Sequence, residues 1–395
     1  MDFYYVWTPW GNEPEEKYLW EIFPCTDGIL ISKGYITPKL EDSFARHGGI
    51  SKFLRWQGPV MGDSGAWLYK NEEKPPYSVR ELLDYYVHVG IPLGAHLDHS
   101  IFKTVKVDGV IRELTENEKK RRWQVTIDNA RETMDLLQRG RYNGLEVIGV
   151  IQGWDVESYR RATTELLAMG YEYLAIGSIA RKPTSQLLKI VDAVNAEIDK
   201  FPHGKREKTK IHLFGFARLE LIPYLMTKRV ISFDTAAPLR QAWESGEHNY
   251  HFASPWRSYT AIRIRLTRVR KNRRALRSFE KKTLSMVYQF AEHRVPFKRF
   301  LRKLLDYEKK ILRSDGLKAK DVNKILPRLR ERYVRTLEDR PWEKCSCPVC
   351  KERKVDVIVF REGWRNISRA YHNVRQFYLE LNRIRNFNQS SKAIA

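Results

Sequence analysis

Long apolar runs are missing from this sequence of 395 residues. No stretch approaches the ~20 consecutive apolar residues that a membrane-spanning helix needs. The N-terminal segment MDFYYVWTPWGNEPEEK is aromatic and then acidic, so it lacks both the basic start and the apolar run of a signal peptide. We therefore expect a cytoplasmic protein with no membrane partner.

Cysteine is scarce, and the glycine motifs of nucleotide-binding sites are missing. The only cysteines are Cys25, Cys345, Cys347 and Cys350. Three of them lie within six residues, which does not resemble a secreted disulfide framework. The sequence contains no G-x-G-x-x-G or Walker motif, so we expect no organic cofactor.

Acidic residues are much fewer than basic residues. Lys and Arg number 71 against 48 for Asp and Glu, which gives a formal net charge of +23. This excess is larger than solubility requires and points to a polyanionic partner, most simply nucleic acid. Hydrophobic residues make up 42% and aromatic residues 12% of the chain, so a sizeable core is available and global disorder is excluded.

The positive charge is concentrated in one part of the chain. Residues 261–344 contain 27 Lys and Arg against 10 Asp and Glu, a net of +17 that leaves +6 for the rest. Apolar residues recur at helical spacing across this stretch. We therefore predict a basic, mainly helical nucleic-acid-binding insertion at 256–344, between a catalytic unit at 1–255 and a C-terminal part at 345–395. Its candidate phosphate contacts are Arg270, Lys271, Arg273 and Arg274.

The first 255 residues alternate between short β-rich runs and helical patterns. This alternation is typical of a parallel sheet in an α/β protein, and seven or eight such units indicate a (β/α)8 barrel of the TIM type rather than a Rossmann sheet. The predicted strands are 28–32, 59–62, 91–97, 145–151, 171–176, 211–216 and 230–233. For the aromatic N-terminus we predict only packing in the core or as a lid.

Polar side chains follow the ends of these predicted strands. In such a barrel, chemistry gathers at the carboxyl ends of the strands. Those ends carry Asp63, Asp98, Gln152 and Asp234, and two others lead to Gly177-Ser178 and Phe214-Gly215. A single Asp there is most simply a helix N-cap, but three in one barrel favour a site. Clustered carboxylates either bind Mg²⁺ or supply a nucleophile and an acid/base pair for a glycosidic bond, and spacing alone does not choose.

The C-terminal part carries the strongest local motif. Cys345, Cys347 and Cys350 form C-x-C-x2-C, and a later histidine, His372, lies in the sequence RAYH. Three thiolates and one imidazole are a ligand set for tetrahedral Zn²⁺, and four protein ligands close the site. We therefore predict a structural zinc ion in a small zinc-binding subdomain that ends in a C-terminal helix.

The order of these motifs resembles the tRNA-guanine transglycosylase superfamily. The matching pieces are MGDSGAW, the strand end at Asp98, VIGVIQG, LAIGSIA, HLFGFA, ISFDTAAPLR, and CSCPVC with RAYH. The resemblance implies a (β/α)8 barrel with a zinc subdomain. It also implies an enzyme that exchanges a guanine in nucleic acid for a 7-deazaguanine without ATP.

The resemblance further implies roles for single residues. Asp234 matches the nucleophile that attacks the anomeric carbon and forms a covalent glycosyl-enzyme intermediate, and Asp63 matches the general acid/base. Asp98 matches the carboxylate that reads the Watson–Crick edge of the base. The other implied contacts are base contacts at Ser100, Gln152, Gly177, Ser178 and Gly215, stacking contacts at Trp67 and Phe214, and a phosphate contact at Arg240.

Departures from the tRNA enzymes resemble the DNA-modifying branch of the superfamily. His99-Ser100 follows Asp98 where the tRNA enzymes usually have Glu-Cys. Ser178 stands where they have the second glycine of a pair, and 110 residues separate Asp234 from Cys345, which is more than the bacterial tRNA enzymes need. The resemblance thus implies a pentosyltransferase that places a 7-deazaguanine such as preQ0 in DNA.

Other functions stay open. A tRNA-guanine transglycosylase with an unusual insertion is the runner-up, because the basic stretch would also bind tRNA. A non-catalytic nucleic-acid-binding subunit conflicts with the retention of both Asp63 and Asp234. A metal-dependent nuclease leaves the glutamine, glycine and aromatic positions unexplained. Because guanine inside a duplex must be flipped out before exchange, a helper ATPase or other DNA-opening protein is a further candidate partner.

Overall fold

The computed structural model describes residues 1–9, 17–253, 255–264, 273–360 and 366–394. Contacts between its residues divide the chain into two compact units. The first unit consists of Met1–Trp20, Thr26–Ala236 and Ile384–Ala395, and the second consists of Glu21–Cys25 and Ala237–Arg383. This grouping places the basic stretch and the cysteine motif in one unit, and the three-part division at residues 255 and 344 stays a prediction.

A closed parallel barrel forms the first unit. Its strands and those of one hairpin are β1 (Asp2–Trp7), β2 (Gly28–Ser32), β3 (Val60–Asp63), β4 (Leu93–Ala95), β5 (Thr104–Val107), β6 (Val110–Glu113), β7 (Glu146–Ile151), β8 (Tyr173–Ile176), β9 (Lys210–Leu213) and β10 (Val230–Thr235). Eight of them close in the order β1-β10-β9-β8-β7-β4-β3-β2, and β5 pairs with β6 alone. The predicted (β/α)8 barrel is therefore confirmed.

The aromatic N-terminus supplies the strand that closes the barrel. β1 pairs in parallel with β2 on one side and with β10 on the other. Phe3, Tyr4 and Tyr5 are buried. The barrel interior is filled by a cluster that comprises Tyr4, Leu30, Met61, Ile148, Tyr173 and Ala175. The three buried aromatic residues of β1 therefore belong to the core and not to a lid.

Helices connect the barrel strands. Their bounds are α1 (Leu19–Ile22), α2 (Pro38–Arg46), α3 (Ile50–Phe53), α4 (Val79–Val89), α5 (Glu116–Gln138), α6 (Val156–Met169), α7 (Thr184–Asp199), α8 (His203–Lys208) and α9 (Ile222–Leu225). Ser78, Thr115 and Asp155 begin α4, α5 and α6, because each side chain accepts a hydrogen bond from the backbone N–H three residues later. These caps fix where the helices that follow β3, β4 and β7 along the chain begin.

Two glycines let α4 pack closely on the barrel. The ring of Tyr86 lies over Gly62 in β3 and Gly94 in β4, and a Cβ at either glycine would collide with that ring. The Tyr86 hydroxyl donates a hydrogen bond of 2.9 Å to the carbonyl of Ala95. This contact fixes β3 and β4 side by side just before Asp63 and Asp98.

The second unit is mainly helical. Its elements are α10 (Ala237–Glu244), β11 (Tyr250–Phe252), β12 (Arg257–Tyr259), β13 (Ile262–Arg263), α11 (Arg273–Ala291), α12 (Phe297–Ser314), α13 (Ala319–Asp339), α14 (Pro341–Lys344), α15 (Pro348–Arg353), β14 (Val359–Phe360) and α16 (Ile367–Ile394), whose last residues belong to the first unit. α11 packs on α12, and α12 packs on α13.

The basic stretch forms amphipathic helices. α12 buries Phe300, Leu304 and Tyr307 at helical spacing, whereas Arg302 and Lys309 are exposed. The predicted helical character is thus observed in the part of the basic stretch that the structure describes, and its role as a nucleic-acid-binding insertion stays a prediction. Within the same described ranges, no helix combines the length and the apolar character that crossing a membrane requires.

Candidate active site and metal centre

Three carboxylates and one amide meet at the carboxyl ends of the barrel strands. Asp63 ends β3, Asp98 follows β4, Gln152 follows β7, and Asp234 lies near the end of β10. The carboxylates act on one another, because the negative charges of Asp98 and Asp234 both contribute to a raised pKa at Asp63. The structure therefore brings together the strand-end side chains that the sequence singled out.

The pKa of Asp63 lies near neutral pH. Its Oδ2 accepts a hydrogen bond of 2.5 Å from the Ser32 hydroxyl at the end of β2. Burial, followed by the negative charge of Asp98, raises the pKa of Asp63 to about 7. A carboxyl with this pKa can give and accept a proton at neutral pH, which suits a general acid/base.

Asp98 is held by a buried hydrogen-bond network. Its Oδ1 accepts a bond of 2.6 Å from the Ser64 hydroxyl, and its Oδ2 accepts one of 2.6 Å from Gln152 Nε2. Burial raises the pKa of Asp98, and these two hydrogen bonds act in the opposite direction. Each carboxylate oxygen has a second lone pair, so Asp98 can accept further bonds from the N–H groups of a bound base.

The turn after β8 orients Gln152. The Ser178 hydroxyl donates to Gln152 Oε1 at 2.6 Å, which turns the amide NH2 group toward Asp98. Ser178 has a φ of +55°, in the left-handed region that favours glycine. A Cβ at Gly177 would collide with the amide of Gln152. The serine that departs from the glycine pair of the tRNA enzymes is therefore used as a hydrogen-bond partner.

Asp234 is fixed by two donors on one of its oxygens. The Gly215 N–H donates to Asp234 Oδ1 at 3.0 Å, and His212 Nε2 lies 3.2 Å from the same oxygen. Because a carboxylate only accepts, His212 carries a proton on Nε2. Within the described residues, both of these contacts fall on Oδ1, and Oδ2 of Asp234 has no hydrogen-bond partner in the protein.

His212 is the site residue that the sequence analysis missed. Its Nδ1 lies 2.8 Å from Ser232 Oγ, and that hydroxyl lies 2.7 Å from the hydroxyl of Tyr173. His212 and Ser232 are paired in the ladder between β9 and β10. A chain of hydrogen bonds thus runs from Tyr173 through Ser232 and His212 to Asp234. The signal in the sequence was a histidine near the start of the predicted barrel strand 211–216, between the apolar residues Ile211 and Leu213.

The two predicted stacking residues lie in different surroundings. Phe214 follows β9 and packs against the interior of the barrel. Trp67 is half-buried on the loop after β3 and meets the ring of Phe102 edge-on at 5.1 Å. Lys70 Nζ and the guanidinium carbon of Arg181 lie 4.7 and 4.8 Å from the centre of the Trp67 ring. Trp67 is therefore an aromatic surface flanked by positive charge, Phe214 is a half-buried ring packed on the barrel core, and the stacking role of both stays a prediction.

The other predicted contacts occupy different positions. The Ser100 hydroxyl is buried and donates to the carbonyl of Ala66 at 3.0 Å. Arg240 lies on α10, where its Nε pairs with Glu244 at 2.9 Å. Arg270 and Lys271 lie outside the described residues, and Arg273 and Arg274 open α11. The base-binding and phosphate-binding roles of these residues stay predictions.

The cysteine motif and His372 form a buried cluster. His372 Nδ1 lies 3.6, 3.5 and 3.2 Å from the Sγ atoms of Cys345, Cys347 and Cys350, and all four ligand atoms lie within 4.8 Å of one another. Tetrahedral Zn²⁺ with bonds of ~2.3 Å to sulfur and ~2.0 Å to nitrogen has N···S edges of about 3.5 Å, so the spacing fits. His372 Nε2 donates to the carbonyl of His251 at 2.6 Å, which turns Nδ1 toward the sulfurs.

Known proteins match this chain over different lengths. The chain is 30% identical over 393 residues to a DNA-guanine transglycosylase of Salmonella montevideo, covering 94% of this chain and 90% of that protein. It is 24% identical over 216 residues to a tRNA-guanine(15) transglycosylase of Thermococcus onnurineus, covering 53% of this chain and 34% of that protein. It is 27% identical over 253 residues to a queuine tRNA-ribosyltransferase of Stenotrophomonas maltophilia, covering 58% and 60%. No protein-family model matches the chain.

These matches agree with the fold and the site. A closed barrel with carboxylates at its carboxyl ends, together with a Cys3His cluster, is the architecture that the resemblance to guanine transglycosylases implied. The match to the Salmonella protein extends over nearly the whole of both chains. The chain belongs to the DNA-guanine transglycosylase family.

Proposed function

We propose that this protein exchanges guanine in DNA for a 7-deazaguanine, such as preQ0, by a covalent double displacement. The observation that carries the choice of DNA is the extent of the matches. The DNA enzyme matches 94% of the chain, whereas the two tRNA enzymes match 53% and 58%. In this proposal the protein is a pentosyltransferase whose reacting groups are Asp234 and Asp63.

The first displacement releases guanine. Asp234 Oδ2 attacks C1′ of the target nucleotide, so a bond forms from Oδ2 to C1′ while the bond from C1′ to N9 of guanine breaks. His212 and the Gly215 N–H hold Oδ1, which keeps Oδ2 directed at the sugar. Asp63, whose pKa is raised to about 7, carries a proton that it gives to the departing purine.

The second displacement installs the new base. The carboxylate of Asp63 takes the N9 proton of the incoming 7-deazaguanine, N9 attacks C1′, and the carboxylate of Asp234 leaves. Each displacement inverts C1′, so the two together retain its configuration. Bonds and protons balance over the cycle, and Asp63 returns to its starting state.

Asp98 is proposed to recognise both bases in the same way. Guanine and a 7-deazaguanine share N1–H and N2–H donors on one edge, and an acceptor-only carboxylate suits this pair. Ser64 and Gln152 already hold the two oxygens of Asp98 at fixed positions. Binding therefore costs little reorientation of this side chain, and the incoming and departing bases compete for one site.

The Cys3His cluster is proposed to hold a structural Zn²⁺. Cys345, Cys347, Cys350 and His372 would supply all four ligands, which leaves no position for a substrate. The ion, when bound, supplies a cross-link between the cysteine motif and the start of α16. Its removal is expected to destabilise the second unit and not to change a chemical step directly.

A tRNA substrate is the second candidate, because two of the relatives carry the names of tRNA enzymes. The test incubates the purified protein with radiolabelled guanine in three parallel reactions. One contains duplex DNA, one contains single-stranded DNA, and one contains unmodified tRNA. We expect label in DNA only, with intact strands. Label in tRNA only would replace DNA by tRNA, and Mg²⁺-dependent strand cleavage without label would favour a nuclease.

A further inference from the structure

A β-hairpin follows the loop that carries Asp98. Its strands β5 and β6 are antiparallel and are joined by Asp108 and Gly109. Both turn residues have positive φ, +50° and +84°, as a two-residue type I′ turn requires. This turn matches the twist of the two strands, so the hairpin is a defined projection and not an irregular loop.

The hairpin is tied to the loops of the candidate active site. The Lys106 N–H donates to Asn71 Oδ1 on the loop after β3 at 2.9 Å. Just before the hairpin, the Ile101 N–H donates at 2.8 Å to the Ser178 hydroxyl, which also holds Gln152. The hairpin therefore projects from the same end of the barrel as the three carboxylates.

Next to its turn, the hairpin carries apolar side chains on both faces, while the turn itself carries the exposed acidic side chain of Asp108. Val107 pairs with Val110 across the strands, so these two side chains share one face. Ile111 pairs with Lys106 on the opposite face. Val107, Val110 and Ile111, called the apolar tip below, are 37%, 66% and 70% exposed. No other large hydrophobic side chain in the described ranges is more exposed than Ile111.

Two opposite apolar faces fit between stacked DNA bases better than they fit against the surface of another protein. A stable protein interface buries about 800 Å² on each partner and uses one continuous face, whereas the apolar tip offers three side chains on two opposite faces. An element that enters a base step meets a base pair on each side, so it must be apolar on both faces. The exposed charged side chains beside these residues include Lys106 and Asp108, and the cation of Lys106, which is paired with Ile111, suits the phosphates that flank such a step.

We infer that the apolar tip inserts into duplex DNA beside the target guanine and keeps the duplex open while that guanine occupies the site at Asp98. This inference rests on the proposed function, namely that DNA is the substrate. A stacked and paired guanine does not expose C1′ to Asp234, so flipping precedes the first displacement. Apolar side chains in the vacated space replace part of the stacking that the duplex loses.

The test compares the wild-type protein with the double variant Val110→Ser/Ile111→Ser on two DNA substrates. One is a duplex, and the other is the guanine-containing strand alone, in which no pair has to be opened. We expect guanine exchange by the double variant to fall about tenfold or more on the duplex and to stay within about twofold of the wild type on the single strand. An adenine analogue, 2-aminopurine, placed next to the target guanine reports unstacking by its fluorescence in the absence of exchange.

A matched control carries the same substitution elsewhere in the first unit. Val87 on α4 is 54% exposed, so Val87→Ser makes the same chemical change on the surface of a helix. We expect Val87→Ser to exchange guanine at the wild-type rate on both substrates. Because all three substituted side chains are exposed, the thermal midpoints of the variants are expected to match the wild type.

Several results would overturn the inference. Equal duplex rates for the wild type and the double variant would do so, as would an equal loss on both substrates. A change in oligomeric state of the double variant, measured by sedimentation, would assign the apolar tip to contact with a second copy. If the wild type labels neither DNA, the proposed function fails; the 2-aminopurine signal then still decides whether the apolar tip opens the duplex.

Discussion

The carboxyl end of the barrel and the Cys3His cluster are both buried groups of polar side chains, but they are assembled in opposite ways. In the cluster, four ligand atoms face one another and lie within 4.8 Å, so each is committed to a shared centre. In the barrel, Asp63, Asp98 and Asp234 come from separate strands, and each has its own donors. A closed set of ligands suits a structural ion, whereas separately held carboxylates can take different roles in one reaction.

The largest expected effect belongs to the barrel site. Asp234→Asn keeps the size and the oxygen that accepts from Gly215, but it removes the nucleophile. We expect the exchange rate to fall by about a thousandfold or more, with DNA binding and the thermal midpoint close to the wild type. Asp199→Asn on α7 is the control, since Asp199 forms an exposed ion pair with Arg229. If Asp234→Asn exchanges guanine at the wild-type rate, Asp234 is not the nucleophile.

The Cys3His cluster is expected to respond to mutation through stability. Cys347→Ser removes one of four ligands, so we expect bound zinc to be lost and the free energy of unfolding to fall by several kcal/mol. Metal content by atomic emission and a thermal melt provide the measurements. Cys25→Ser is the matched control, because Cys25 is buried and lies outside the cluster. Unchanged metal in Cys347→Ser would contradict the zinc site.

A smaller effect is expected at His212, which acts through Asp234. His212→Phe keeps a ring in the buried site but removes the N–H that faces Asp234 Oδ1. We expect kcat to fall about 10- to 100-fold with little change in KM, since the carboxylate loses orientation and not substrate contacts. His212→Gln, which can place an N–H near the same point, is expected to recover part of the loss. An equal loss in both variants, with a lowered thermal midpoint, would assign His212 a role in packing only.

The last expected effect is a pH dependence of stability at Asp63, and it leaves the exchange reaction out of the measurement. Its pKa is raised from 3.8 to about 7 in the folded protein, so between these pH values the folded state binds a proton that the unfolded state has lost. Stability therefore falls as pH rises through this range, and the loss is complete above it. Asp63→Asn lacks this titration. We expect the stability of the variant relative to the wild type to be greater at pH 8 than near pH 4, by up to about 4 kcal/mol for a pKa rise of this size. Thermal melts at both pH values measure the difference, and equal differences would contradict the raised pKa.

Local signals explain why the barrel and the cluster could be predicted from the sequence. Most barrel strands are short apolar runs that end in a polar residue, and the metal ligands include three cysteines within six residues. The strand ends then follow from topology, because all parallel strands of a barrel place their carboxyl ends on one side. Asp63, Asp98, Gln152 and Asp234 were found in this way.

Other features depend on pairing between distant parts of the chain. β1 becomes a barrel strand only by pairing with β10, more than 200 residues later in the chain. The alternation of strands and helices that predicted the other barrel strands does not include it. His212 becomes a site residue through Asp234 on the neighbouring strand. The β5–β6 hairpin is different, because its sequence signal is local. Asp-Gly at 108–109, preceded by alternating polar and apolar residues, is typical of a two-residue hairpin turn, and our sequence analysis did not use it.

The central claim is that one base replaces another in DNA through a covalent intermediate on Asp234. The most direct measurement incubates the protein with guanine-containing DNA and preQ0, digests the DNA to nucleosides, and quantifies products by mass spectrometry. We predict one free guanine for each preQ0 deoxynucleoside formed, with intact strands and with none formed by Asp234→Asn. Guanine release without incorporation, or strand breaks in place of the modified nucleoside, would contradict the account.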